Sequence, residues 1–279
     1  MSIANFPSRQ IGDYVITAVS DGYLSASLTL LSNIDPDDAS AMQIAAGAHP
    51  PDAVHINGYL VRGRGRTVLI DAGAGGFKQW GGRLPAALAE AGVDPAAIDT
   101  VLLTHAHPDH VGGLLDADGH ARFANAALIV NDREVAFWQD DGHLSRAAER
   151  ARGNFLLARQ VFDVYRPQLR TIREGEVLPG IFAMPLPGHS AGHTGYRFES
   201  GAQSLLVWGD VVHFPRIQIA RPQVSIAFDH DPALSAATRA RLLDVAATEG
   251  LCIAGMHLGE AGFAHIQKEG RDFVLVDAC

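Results

Sequence analysis

Residues 101–114 read VLLTHAHPDHVGGL, so three histidines and an aspartate fall within six residues directly after an apolar run. Side chains at alternate positions of an extended segment face the same way. His105 and His107 can therefore bind one metal ion, while the adjacent Asp109 and His110 turn towards a second. The glycine pair that follows allows a tight turn and a helix start close to the ions. This stretch predicts a strand that ends at a site for two metal ions.

Three further donors each follow a short apolar run of the kind that forms a buried strand. They are His189 after residues 182–188, Asp210 after residues 205–209 and His257 after residues 251–256. A single residue in such a place is commonly a turn residue or a helix cap. Together with the first cluster, the three donors predict one site at the edge of a sheet.

The order of these motifs carries a resemblance to a known family. His-x-His-x-Asp-His, then Pro-Gly-His, then Gly-Asp and a late Gly-x-His resemble the metallo-β-lactamase-fold hydrolases over most of the chain. Five stretches are similar to the methyl parathion hydrolase group and its lactonase relatives, namely residues 20–22, 57–61, 69–73, 104–113 and 188–194. The resemblance implies an α/β fold, the αββα sandwich of two mixed sheets with helices on the outer faces and metals at the sheet edge.

The resemblance also distributes seven ligands over two divalent ions, with zinc as the default and manganese, iron or cobalt as alternatives. The first ion is assigned to His105, His107 and His189, the second to Asp109, His110 and His257, and Asp210 bridges them. Asp71 is expected to support the ligand loops or to cap its own turn. His193 is expected at a helix start or in a hydrogen bond that supports a ligand. His265 is a further candidate near the site.

Two divalent ions can share a hydroxide that attacks a carbonyl or phosphoryl centre, so no serine or cysteine nucleophile is needed. Asp210 and Asp109 are predicted to hold and orient this hydroxide. Several acyl-homoserine lactonases have a tyrosine three residues after the bridging aspartate, where this chain has His213. An imidazole there can donate a hydrogen bond or protonate the leaving oxygen. His213 is therefore a candidate catalytic residue, although backbone groups could equally satisfy it.

The substrate is predicted less closely than the chemistry. The leading hypothesis is a lactone, such as an acyl-homoserine lactone, with phosphotriester hydrolysis as a side activity. The alternatives are an organophosphate hydrolase, a mononuclear iron dioxygenase on the same fold, a β-lactamase or a metal-dependent binding module. A glyoxalase II type is disfavoured because its C-terminal helical domain has no room after His257. Phe77, Trp138 and Phe155 are candidate pocket walls for an acyl chain or an aryl group.

Composition favours a soluble enzyme and indicates little else; the small-molecule substrate is what the resemblance implies. The net charge is −9, which argues against a nucleic-acid surface. No apolar stretch approaches the roughly 20 residues of a membrane helix, and residues 1–10 show no secretory signal. The two cysteines, Cys252 and Cys279, form no disulfide framework. We expect Cys252 to be a small core residue and the protein to be cytoplasmic.

Periodicity predicts one domain over residues 1–279. Strands are expected at residues 14–19, 55–61, 67–71, 100–104, 127–131, 182–186, 204–208 and 251–256. Helices are expected at residues 84–92 and at residues 233–248, with Asp231 as the cap of the second. Residues 62–66 (RGRGR) read as a hairpin turn. Residues 23–53 read as an irregular excursion, which by the resemblance implies a homodimer, and residues 132–168 as a helical insertion.

Overall fold

Two seven-stranded mixed sheets form the centre of the molecule, seen in a computed structural model that describes residues 6–277. Strands are numbered in chain order. The first sheet contains, from edge to edge, β1 (Ser8–Ile11), β2 (Tyr14–Ser25), β4 (Ala53–Gly63), β5 (Arg66–Ile70), β6 (Thr100–Leu102), β7 (Ala127–Asn131) and β8 (Leu169–Ile172). The pairs from β1 to β5 are antiparallel and those from β5 to β8 are parallel.

The second sheet lies in the other half of the chain. It contains, in spatial order, β16 (Asp272–Asp277), β15 (Phe263–Glu269), β14 (Cys252–Ala254), β12 (Gln203–Val207), β11 (Thr194–Ser200), β10 (Ile181–Pro185) and β9 (Gly175–Leu178). Its one parallel pair joins β12 to β14. A two-stranded ribbon pairs β3 (Leu31–Ser32) with β13 (Ser225–Ile226) beside these sheets.

Alternation along the strands assigns side chains to two apolar layers. Val68 and Ile70 of β5 pack between the two sheets, whereas Leu69 points to the outer face of the first sheet. The layer between the sheets also holds Tyr196 and Val207 from the second sheet. Each sheet thus buries both faces, which explains the nearly continuous apolar runs in the sequence.

The helices are α1 (Pro36–Ala45), α2 (Leu84–Glu90), α3 (Pro108–Val111), α4 (Asp132–Gln139), α5 (Asp141–Arg146), α6 (Glu149–Val164), α7 (Pro215–Gln218) and α8 (Pro232–Glu249). Helices such as α2, α6 and α8 cover the two outer faces, whereas α1 and α7 pack with the two-stranded ribbon in a separate apolar cluster. Leu88 of α2 and Phe162 of α6 pack on the first sheet. Leu243 of α8 packs on the second. The predicted αββα sandwich is confirmed.

All eight predicted strands are present, with ends that differ by up to six residues because β2 continues to Ser25. The two predicted helices are also present. Asp231 accepts a hydrogen bond from Leu234 N at 3.0 Å and caps α8 as expected. The RGRGR stretch is the β4–β5 hairpin, in which Gly63 pairs with Arg66. Residues 132–164 form α4, α5 and α6, so the insertion is helical over most of its length.

The expectation of an irregular segment at residues 23–53 is wrong in several places. Tyr23 to Ser25 extend β2, Leu31 and Ser32 form β3, Pro36 to Ala45 form α1, and Ala53 begins β4. Asp35 caps α1 and Pro36 occupies its first turn, which is a recognisable start signal. Only Ala39 and Gln43 of this helix are buried, so its sequence shows no apolar stripe.

The remaining sequence expectations concern small features. Cys252 lies half-buried in β14, packed against the layer between the sheets. Cys279 lies outside the described residues. Among the helices of residues 6–277, none has the length and apolar character that a membrane crossing requires.

At the predicted glycine turn, the backbone of Gly113 packs directly against the backbone of Ala72 and Gly73. A Cβ at Gly113 would lie 1.9 Å from the carbonyl oxygen of Ala72, and Gly113 N donates to Gly73 O at 3.0 Å. We expect Gly113→Ala to lower the free energy of unfolding by about 2 kcal/mol or more, because the two backbone segments must separate. Chemical denaturation measures the change.

The matched control is Gly153→Ala in α6. A Cβ there meets Phe77 at an ordinary 3.7 Å, so the change should be neutral or stabilising by up to about 1 kcal/mol. Equal stabilities of the two variants would contradict the close approach at Gly113.

Candidate metal centre

The candidate ligands gather where strands of both sheets end. His105 and His107 follow β6 and precede α3, while Asp210 and His257 follow β12 and β14. His189 lies in the loop between β10 and β11. Because the carboxyl ends of parallel strands meet at one sheet edge, these residues converge although they are far apart in the chain.

Three imidazole nitrogens meet in the first ligand group, which consists of His105, His107 and His189. His107 Nδ1 lies 3.0 Å from His105 Nε2 and 2.9 Å from His189 Nε2. His189 Nε2 lies 3.1 Å from His105 Nε2. The three nitrogens thus form a nearly equilateral triangle around one point.

The second ligand group consists of Asp109, His110 and His257, and Asp210 connects it to the first. Asp210 Oδ2 lies 3.1 Å from His110 Nε2 and 3.2 Å from His257 Nε2. The same oxygen lies 3.5 Å from His189 Nε2 and 3.8 Å from His105 Nε2. One carboxylate oxygen therefore faces both groups.

The outer nitrogens of four of the candidate ligand histidines, His105, His110, His189 and His257, are tied to acceptors, which fixes their tautomers. His110 Nδ1 lies 2.6 Å from Asp71 Oδ2, and Thr104 Oγ1 donates to the same carboxylate at 2.6 Å. Because the Thr104 hydroxyl is used as a donor there, it accepts from His105 Nδ1 at 3.0 Å. Asp71 thus supports two ligands, which is one of the two roles expected of it.

His257 and His189 are held in the same way. His257 Nδ1 donates to the carbonyl oxygen of His55 at 2.6 Å. His189 Nδ1 donates to Asp229 Oδ1 at 2.9 Å. Asp229 is itself adjacent to the buried Arg239, whose Nη2 lies 4.0 Å from Asp229 Oδ2. Asp229 could not be recognised from the sequence, because a single aspartate before a helix does not indicate a hydrogen bond to a distant histidine.

These tautomers leave lone pairs pointing at one another. With their outer nitrogens donating, His105 and His189 both present unprotonated Nε2 atoms, about 3 Å apart, and such an arrangement is repulsive without a cation between them. Asp210 Oδ1 is buried and has no hydrogen-bond partner among the described residues. Imidazole and carboxylate donors suit divalent metal ions, so the residues fit such ions.

The electrostatics of the site agree with this donor set. Burial lowers the pKa of His107 to about 3, so the ring is neutral, as a metal ligand must be. Burial acts to raise the pKa of Asp210, but His110 and His257 outweigh it and hold the pKa well below its ordinary value. Burial likewise acts to lower the pKa of His110, and the carboxylates of Asp210, Asp109 and Asp71 outweigh it. Without a metal ion, these carboxylates favour the protonated form of His110.

His193 supports the site and does not begin a helix. Its Nδ1 donates to Leu186 O at 2.9 Å, and its Nε2 accepts from Asp210 N at 3.0 Å. It directly precedes β11. The ring thereby fixes the backbone of Asp210. Of the two roles predicted for His193, this is the supporting hydrogen bond.

A cavity of about 430 Å³ opens beside the ligands. Trp138 and Phe155 line it, as predicted. Phe77 is not among its lining residues, because its ring packs 6.1 Å from Trp80 and near Gly153 of α6. The apolar wall that the sequence did not identify consists of Leu24, Leu30, Val54, Trp80, Phe137 and Phe228.

His213 and His265, the two remaining candidate histidines, lie in different parts of the structure. His213 lies at the site, where it stacks on His257 at 5.1 Å and places Nε2 3.2 Å from Asp210 Oδ2. His265 pairs with Val276 in β15. Since β15 runs antiparallel to β14, the chain at His265 has moved away from the sheet edge that carries His257. The structure does not bring His265 to the metal centre.

Fold and site together define a metal-dependent α/β enzyme whose ligands come from the ends of two packed sheets. The profile of the metallo-beta-lactamase superfamily matches residues 51–257. The chain therefore belongs to the metallo-β-lactamase superfamily, and its predicted class, a metal-dependent hydrolase, is confirmed.

Individual relatives agree with this assignment. The crystal structure of hydrolase AbOPH in the beta lactamase superfamily has 28% sequence identity and a TM-score of 0.90, covering 100% of this chain and 99% of that one. AidC, described as a dizinc quorum-quenching lactonase in complex with a product N-hexanoyl-L-homoserine, has 22% identity and a TM-score of 0.91 over 100% and 99% of the two chains. YobT of Bacillus subtilis (strain 168), an uncharacterized protein, is 29% identical over 161 residues, 57% of this chain and 63% of its own length.

The burial of His193 predicts a dependence of stability on pH. Burial lowers its pKa from 6.5 to about 3, so between these values the unfolded chain binds a proton that the folded chain does not. The contribution of neutral His193 to the free energy of unfolding is fully present above pH 6.5. It is lost as the pH falls below that value, by up to about 1.4 kcal/mol per pH unit. We expect the stability advantage of the metal-free wild type over His193→Gln to shrink on acidification.

Urea unfolding with a chelator present, at several values between about pH 7.5 and pH 5, measures this difference. A constant gap between the two proteins would contradict the neutral state assigned to His193.

Proposed function

We propose that this protein is a hydrolase with two divalent metal ions, most simply zinc, that opens a lactone ring. Acyl-homoserine lactones are the proposed substrates, with phosphotriester hydrolysis as a side activity. The observation that carries the proposal is the position of Asp210 Oδ2, which lies within 3.8 Å of histidine nitrogens from both ligand groups. A site for one ion would leave one of these groups without a function.

The chemistry divides between the ions and the side chains. Two divalent ions held there supply a Lewis acid for the substrate oxygen and lower the pKa of a bound water to about 7. Asp210 keeps the two ligand groups at a fixed separation, and His193 fixes its backbone. Asp109, whose Oδ2 lies 3.5 Å from His257 Nε2, is proposed to orient the attacking water and to accept its proton.

His213 is proposed to stabilise the oxygen that gains charge as the ring opens. Burial lowers the pKa of His213, so the ring is neutral and has one N–H group. It lines the cavity, and its N–H is on Nε2, which lies 3.2 Å from the Asp210 carboxylate oxygen Oδ2. A neutral imidazole that lies between the bridging carboxylate and the cavity can donate a hydrogen bond to a leaving oxygen.

The cavity supports the choice of substrate. Its wall is mostly apolar, and aromatic side chains of α4 and α6 lie beside the ligands: Trp138 is 5.6 Å from His107, and Phe155 is 4.6 Å from Trp138. Such a wall suits an acyl chain next to the ester that is cut. The shared fold with AidC, whose complex holds N-hexanoyl-L-homoserine, supports the same choice. An aryl leaving group would pack on the same rings, which is why a phosphotriester is the second candidate.

Activity on two substrates tests the proposal. We expect the metal-loaded protein to have a much higher kcat/KM on a long-chain acyl-homoserine lactone than on methyl paraoxon. Asp210→Ala should lose both activities and bind fewer ions, because the shared oxygen is gone. Steady-state kinetics and metal analysis measure these quantities. The reverse preference would make the protein an organophosphate hydrolase, and one iron per chain without lactone opening would favour the mononuclear dioxygenase.

His213 gives a separate prediction. We expect His213→Asn to lower kcat by about 100-fold, the order of a lost acid or hydrogen-bond donor, with metal content unchanged. Steady-state kinetics on the lactone with parallel metal analysis measures both. His120→Asn in an exposed turn is the control, since His120 is 80% exposed. Full kcat in His213→Asn would remove His213 from the mechanism.

A further inference from the structure

Glu134 is a completely buried carboxylate that belongs to neither ligand group. It lies in the first turn of α4, directly after β7 ends at Asn131. An acidic residue there usually interacts with a helix N-terminus, and the sequence analysis gave it no role. The structure instead surrounds it with four donors from outside that turn.

Three of these donors belong to the loops of the first ligand group. Ala106 N, between His105 and His107, donates to Glu134 Oε2 at 3.1 Å. Ser190 Oγ and Gly192 N donate to Glu134 Oε1 at 2.5 and 2.6 Å. Ser190 directly follows His189. One carboxylate thus joins the two loops that carry all three ligands of this group.

The fourth donor belongs to the cavity wall. Trp138 Nε1 donates to Glu134 Oε2 at 2.8 Å, one helical turn further along α4. The indole ring in turn packs edge to face on His107 at 5.6 Å and contacts Phe155 at 4.6 Å. The same carboxylate therefore fixes the metal loops and the aromatic ring that lies closest to them.

A carboxylate side chain suits this place because its two oxygens can accept all four bonds. A glutamine would present an NH₂ group to at least one buried N–H donor, and a buried donor without a partner is costly. The second ligand group has other supports, since Asp71 holds His110 and the carbonyl of His55 holds His257. The four bonds of Glu134 reach only the first group.

We propose that Glu134 is a positioning residue that sets the affinity of the first ligand group for its ion and couples that group to the cavity wall. The inference rests on the metal centre of the proposed function, but it concerns metal affinity and not turnover. Residues that orient metal ligands typically account for about 10- to 100-fold in affinity.

The test compares Glu134→Gln with wild type in a chelator competition that resolves the two ions. We expect one ion to bind about 10- to 100-fold more weakly, while the other changes little. His107→Ala, which removes a ligand of the first group only, identifies which ion is affected. Glu90→Gln, at the exposed end of α2, is the matched control and should bind both ions as wild type does.

Ser190→Ala and Trp138→Phe are the second pair of variants, and they test the same carboxylate if Glu134→Gln does not fold. Each removes one donor and no ligand, and phenylalanine retains a ring beside His107. Both should weaken the same ion, and their effects should not add, because the two donors share one acceptor residue. Unchanged affinities, or equal loss at both ions, would overturn the proposal. A wild type that binds two ions without opening a lactone would refute the proposed activity and leave this inference standing.

Discussion

The structure depends on one constraint, the burial of several imidazole lone pairs that all face the same point. Such nitrogens repel one another unless cations lie between them, and the rings turn away unless their outer sides are held. Asp71, Thr104, Asp229 and the backbone of residue 55 hold them. The strands of both sheets end beside these partners. The fold therefore fixes which nitrogen of each held ring carries the proton.

The candidate ligands could be identified from the sequence because each has a local signal. Residues 105–110 are read by alternation and turn chemistry alone, and each later donor follows its own apolar strand. Of the residues that hold them, Asp71 and His193 were expected through the resemblance, whereas Asp229 and Glu134 were not, because they meet the candidate ligands only through the tertiary fold. A single acidic residue near a helix start gives the same sequence signal whether it caps that helix or supports a distant histidine.

The fold shows the same division between strong and weak patterns. Most of the central strands, buried on both faces, have apolar runs that the sequence reveals. The interior strands β11 and β15 were missed because charged residues interrupt their apolar runs. Edge strands such as β8, β9 and β16 were missed because almost none of their described side chains is buried. The error at Phe77 has a backbone cause. Lys78 and Gln79 adopt left-handed φ values of 51° and 66°, which turn the chain so that Trp80 reaches the cavity.

The two ends of helix α4 contribute to different parts of the site. Its first turn carries the carboxylate that joins the metal loops, while its last turn and the helices after it supply much of the cavity wall. Mutations beyond Trp138 can therefore reshape the cavity without touching the metal ligands. Support of the metal loops and shaping of the cavity are thus divided between the two ends of one helix, so selection can act on the shape of the cavity independently of the metal loops.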